Sequence, residues 1–195
     1  MMQNETKFGV TAALLAFAAA PAAQAHLLGV HGAGFTAGLA HPFLGIDHLL
    51  AMIAVGLWAG QMGGSALWRV PLAFIAMMVL GAALALAGVP LPAVQTGIAT
   101  SLLILGLFVG FVVRLPAVAS VLLVGAFAVF HGHAHASELP LAAAPVLYGL
   151  GFVTATAILH MFGIWLGRRS SQRMVAFVRV VGFAVAGGGV LLLAG

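Results

Sequence analysis

Apolar residues run along this chain in blocks, near 43–62, 68–88, 93–113, 117–135, 144–166 and 175–193, each bounded by Pro, Gly or Arg. A helix of roughly 20 residues crosses a hydrocarbon core of about 30 Å, so the blocks predict about six transmembrane spans. Lipid offers no partner for an unpaired backbone group, and a segment that satisfies all its own N–H and C=O groups is a helix. The expected fold is therefore an all-α integral membrane protein, a bundle of about six transmembrane helices, with residues 26–195 as one domain. Gly and Ala recur within the blocks, which suits close helix packing in lipid. The run Gly187-Gly188-Gly189 marks either a close crossing or an irregular turn.

An earlier block has a different character. Lys7 precedes an apolar run from about Phe8 to Ala20, followed by Pro21 and the small-x-small sequence Ala23-Gln24-Ala25. That layout predicts a secretory signal peptide over 1–25. Cleavage makes His26 the new N-terminus, outside the cytoplasm.

Composition and charge fix the environment and the orientation. Of 195 residues, 64% are hydrophobic and 5% charged, against about 25% charged in a soluble domain. The net charge of +4 comes almost wholly from arginines. With an outer N-terminus the odd-numbered loops are cytoplasmic, and those hold Arg69, Arg114, Arg168, Arg169, Arg173 and Arg179, as the positive-inside rule requires. The chain is thus expected in a bacterial inner (cell) membrane, multi-pass, with its His-rich segments on the periplasmic side. No basic face is left to grip phosphates, which excludes nucleic acid as a partner. The absence of cysteine removes thiolate ligands and thiol nucleophiles, and leaves eight histidines against three acidic residues.

Three constellations gather those groups. The first is His41-Pro42-Phe43-Leu44-Gly45-Ile46-Asp47-His48 with Met52. Pro42 suits the first turn of a helix. A helix starting there puts His48 and Met52 on one face and Asp47 about 100° away, with His41 folding back over them. An acidic residue inside a span costs about 2.5–3.5 kcal/mol on insertion scales, so Asp47 needs a cation or a histidine beside it. The second is Phe130-His131-Gly132-His133-Ala134-His135-Ala136-Ser137-Glu138. On a continuing helix His131, His135 and Glu138 form one stripe, and His133 faces the other way. Alternate histidines with a carboxylate are a metal-binding composition. The third is Thr154 to Met161, with Thr156 and His160 one turn apart and deeper in the membrane. His26 and His31 are candidate collectors of ions ahead of the first span. Gln95, Thr96, Thr100 and Ser101 read as packing polar residues.

At these residues the chain resembles the HupE/UreJ family of nickel and cobalt permeases, accessory proteins of hydrogenase and urease. The family pattern HPxxGxDHxxxM is matched from His41 to Met52, and FHGxAHGxE from Phe130 to Glu138 with Ala136 where Gly is usual. The segment Thr154 to Gly163 is similar to the family's TAxLHxxG, with His160 as its histidine. The likeness covers nearly the whole chain after the signal.

Imidazole suits nickel, cobalt, copper and zinc alike, so the ligand types leave the metal open. The resemblance puts nickel first and cobalt next. It implies a secondary permease, not an enzyme, whose metal site draws on His41, Asp47, His48, Met52, His131, His135, Glu138 and His160; His26, His31 and His133, outside the matched motif positions, are weaker candidates from the residues themselves. No resident cofactor is required, since Ni2+ or Co2+ is the cargo. The lipid bilayer is the other partner. A homo-oligomer and a metallochaperone partner are both compatible with this reading. There is no Gly-Lys-Ser/Thr nucleotide loop to power transport. Two alternatives use the same residues: an intramembrane zinc-dependent hydrolase, and a b-type haem protein with paired axial histidines.

Overall fold

A computed structural model describes residues 34–139, 144–169 and 171–195 of the chain. The signal peptide, His26 and His31 lie outside them. Every regular element among the described residues is helical: α1 (Phe35–Ala40), a 3-10 turn (His41–Phe43), α2 (Ile46–Met62), α3 (Ala66–Leu86), α4 (Val94–Phe111), α5 (Ala117–Ser137), α6 (Pro145–Gly167) and α7 (Gln172–Ala194). The helices α3 to α7 are long and apolar enough to cross a membrane. The protein is therefore a multi-pass membrane protein.

The first expected span differs from its prediction. Pro42 does not open the long helix. It lies in the 3-10 turn, and α2 begins only at Ile46, after Gly45 in extended conformation. Phe35–Phe43 and Ile46–Met62 meet at 84°, so they count as a sixth span only when taken as one broken element. The 17 residues of α2 reach about 25 Å at 1.5 Å per residue, short of the hydrocarbon thickness. The bend lays α1 against α6 and puts His41 over the end of α2.

Glycines set the helix pairs. A Cβ on Gly38 would meet the Tyr148 carbonyl, and one on Gly151 the Phe35 carbonyl, which locks α1 on α6. Gly56 and Gly60 of α2 lie against Gly163 and Gly167 of α6, residue number rising along both helices, so the two run parallel. Gly81 and Gly132 join α3 to α5. Gly106 and Gly110 face Gly182, while Gly189 faces Ala99 and Leu103, so α4 and α7 run antiparallel. The glycine run in α7 is thus a close crossing within an unbroken helix. In lipid, where apolar burial does not drive association, such approaches let backbones pack directly.

Alternation of the helices sorts the polar residues to opposite ends. Arg69, Arg114, Arg168, Arg169 and Arg173 fall at one end, where α2 finishes and α3 begins; His41, His135 and Glu138 fall at the other. Near the arginine end, the last carbonyls of α4 are taken up by its neighbours. Trp58 Nε1 donates to the Val113 carbonyl at 2.7 Å, Gln61 Nε2 to Val109 at 3.0 Å, and Arg179 Nε to Gly110 at 2.9 Å. A helix leaves its last four carbonyls without intrahelical donors, and these bonds satisfy three of the groups near that terminus.

Candidate metal centre

Local geometry explains the first motif. Asp47 and His48 are consecutive residues in the first turn of α2, and Asp47 Oδ1 lies 2.8 Å from His48 Nδ1. A carboxylate only accepts, so His48 Nδ1 carries a proton, and in the neutral ring Nε2 then keeps its lone pair. Gly45 makes room for this pair: a Cβ there would stand 3.0 Å from both Asp47 Oδ1 and His48 Nδ1. The preceding 3-10 turn brings His41 round to the same place.

The second motif meets the first across the bundle. His48 has its ring centroid 4.0 Å from that of His135 and 5.4 Å from that of His131. His41 lies 4.9 Å from His135, ring to ring, and its Nε2 is 3.9 Å from Glu138 Oε2. One ligand atom from each of His41, His135 and Glu138 falls within 4.8 Å of the others. The expected stripe His131, His135, Glu138 is present, graded in depth: His131 is 0% exposed, His135 4%, and the Glu138 side chain 53%. Ala136, the departure from the family pattern, sits buried inside α5 without interrupting it.

Deeper in, the third motif joins through α6. Thr156 Oγ1 donates to the Phe152 carbonyl at 2.9 Å and lies 3.5 Å from Met52 Sδ. His160, 1% exposed, packs its ring 5.2 Å from Phe74, and the same phenyl ring lies 5.7 Å from His131. His48, Met52, His131, His135, Thr156 and His160 are all buried.

The electrostatic state of this cluster is unusual for an interior. His48 Nε2, His131 Nδ1, and both ring nitrogens of His135 and His160 are buried without a hydrogen-bond partner. A buried polar group without a partner costs about 1–3 kcal/mol, and native interiors leave few of them. Several unpartnered imidazole nitrogens beside two carboxylates, in a protein without cysteine, make a donor set suited to a divalent transition-metal ion.

Not every sequence candidate joins. His133 points away: its Nε2 lies 3.0 Å from the Val89 carbonyl, tying α5 to the loop after α3. Four neighbours of the cluster carried no motif signal. Phe74 packs between His131 and His160, Tyr148 and Phe152 flank His41, and Phe152 also flanks His135 at 4.2 Å. Ser101, read from sequence as packing glue, lies 2.9 Å from His131 Nε2.

Comparison with known proteins agrees with the resemblance. The family described as HupE / UreJ protein matches residues 13–192. Protein HupE of Rhizobium leguminosarum bv. viciae is 46% identical over 187 residues, covering 95% of this chain and 97% of that protein. No solved structure matches.

Proposed function

The chain belongs to the HupE/UreJ family, and from that premise we propose that it is a secondary permease for divalent transition-metal ions, nickel first and cobalt next. In this reading it supplies hydrogenase or urease maturation from the inner membrane of a bacterium. The observation that carries the reading is the convergence of unpartnered, buried imidazole nitrogens from α2 and α5, with that of α6 beyond the Phe74 ring, in a membrane bundle. A structural core has no use for so many orphaned donors and acceptors. A stationary metal site needs fewer ligands than the cluster offers, whereas a path needs successive ones.

The path runs inward from the histidine end, which is the periplasmic side in this reading. The ion sheds water at His41, His135 and Glu138, where the half-exposed carboxylate supplies charge. It moves to His48 Nε2 and His131, and then to Met52 and His160. Conduction needs sites that bind well enough to admit the ion and weakly enough to release it, and the single thioether of Met52 is a weaker ligand than the imidazoles before it. The protein carries no ATP-binding loop, and a membrane potential suffices: about 2.3 kcal/mol per charge per 100 mV gives roughly 4.6 kcal/mol for a divalent ion.

Radioactive nickel uptake into proteoliposomes tests this directly. Uptake should rise with an imposed inside-negative potential and be competed by unlabelled cobalt. Folded protein that takes up no nickel at any potential would sink the proposal.

Asp47 gives a second expected outcome. Asparagine at 47 keeps an acceptor oxygen toward His48 but loses the charge that holds the ring and favours the ion. Removing a partner that stands behind a metal-bound histidine typically costs 10–100-fold. Asp47→Asn should raise the KM for nickel uptake by roughly that factor, with the protein still folded. An unchanged KM would show that the carboxylate serves packing alone.

A further inference from the structure

The hydrogen bonds around Ser101 determine more than packing. Its hydroxyl lies 2.7 Å from the Ile98 carbonyl and 2.9 Å from His131 Nε2, and all three groups are in the buried part of α4 and α5. A serine hydroxyl has one proton to give and two lone pairs. The Ile98 carbonyl can only accept. If the proton goes there, the only bond left to Ser101 and His131 is one donated by Nε2–H, and His131 Nδ1 keeps its lone pair.

The opposite arrangement has Ser101 donating to a bare Nε2. It would leave the proton on Nδ1, which is buried with no partner. An orphaned buried N–H is rarer in proteins than an under-used acceptor, and a protonated Nδ1 cannot ligate a cation. Both the serine's geometry and the vacancy at Nδ1 favour the first arrangement.

We propose that Ser101 is a positioning residue that sets the tautomer of His131, holding the proton on Nε2 so that Nδ1 turns its lone pair to the ion. The role rests on the permease reading only for what the lone pair meets; the tautomer itself does not. It makes Ser101 the neutral counterpart of Asp47. Asp47 accepts a hydrogen bond from His48 Nδ1–H and frees Nε2, whereas Ser101 accepts one from His131 Nε2–H and frees Nδ1. The two histidines, whose rings lie 5.4 Å apart, then keep their lone pairs free on opposite nitrogens, both buried without a hydrogen-bond partner. A serine at this depth also fixes the tautomer without adding a second carboxylate to the membrane interior, where charge is costly.

Nitrogen NMR of isotope-labelled histidine, recorded on the protein in lipid before metal is added, reads this out. The His131 signals are identified by their loss in His131→Gln. The wild type should show His131 protonated at Nε2 and bare at Nδ1, and Ser101→Thr, which keeps the hydroxyl, should do the same. Ser101→Ala should lose that preference and raise the KM for nickel by roughly 10-fold or more, with Ser101→Thr restoring it. A proton on Nδ1 in the wild type overturns the assignment, and so does a Ser101→Ala protein whose tautomer and KM are both unchanged. A wild-type spectrum with the proton on Nδ1 overturns the assignment even if the alanine variant does not fold. The expected tautomer in a protein that takes up no nickel would overturn the permease reading and leave the Ser101 assignment standing.

Discussion

His48→Ala is expected to lower potential-driven nickel uptake by about 100-fold or more, beyond the 10–100-fold typical of losing a group behind a ligand. The reason is position. His48 has its ring against both His131 and His135, so it bridges the outer group of His41, His135 and Glu138 and the deeper His131. Its Nε2 is buried and unpartnered, and its other nitrogen is already held by Asp47. Alanine removes the ligand, and no neighbouring side chain replaces it. The measurement is initial uptake in proteoliposomes at a fixed inside-negative potential, with folding checked by gel filtration and circular dichroism.

A double variant sharpens the test. If Asp47 acts on the ion mainly through His48, Asp47→Asn should add little once His48 is alanine, because residues in one network are not additive. Full additivity would mean that the carboxylate touches the ion independently. Residual uptake above a tenth of wild type in His48→Ala would mean that the ion bypasses His48.

The spans were legible in the sequence because lipid simplifies the problem. Each apolar block must form its own hydrogen bonds, so length and hydropathy suffice to place α3 to α7. The same simplification erased the information about neighbours. In water an amphipathic stripe tells which face of a helix is inside; here Phe74, in the core, and Leu72, on the lipid side, are equally apolar. Nothing in the sequence therefore marked Phe74 as the ring between His131 and His160. The pairing of α2 with α6 rests on Gly56 against Gly163 and Gly60 against Gly167, and glycine is too frequent in this chain for those four to stand out.

The site was legible in its ligand types and spacing, and less so in its backbone. The stripe of His131, His135 and Glu138 followed from helical periodicity, and the structure keeps it. Pro42 misled because proline suits both the first turn of an α-helix and a 3-10 turn, and only the extended Gly45 separates the two. The consequence is functional, since the 84° bend is what swings His41 over His48 and His135. Ser101 was missed for another reason: a serine in a span is usually packing, and its value here depends on a histidine 30 residues away.

The largest structural effect is expected at Gly132, between His131 and His133. A Cβ there would overlap the Met78 carbonyl, a backbone group that cannot rotate away, so Gly132→Ala must push α5 off α3. Overpacking of this kind typically costs about 1–3 kcal/mol, occasionally more. Helical Gly187 provides the contrast within the same protein, because a Cβ there meets nothing within 4 Å. Alanine at 187 should be neutral or stabilise by up to about 1 kcal/mol, the usual gain from replacing an unconstrained helical glycine. Thermal unfolding in detergent should therefore put Gly132→Ala below the wild type and Gly187→Ala level with it or above. The displacement at Gly132 should also reach function, since α3 carries Phe74 and α5 carries His131 and His135, and parting the helices parts the ring from the ligands. Equal midpoints for Gly132→Ala and Gly187→Ala would mean that α3 and α5 are not in backbone contact, and with that the depth assigned to His131 would fall.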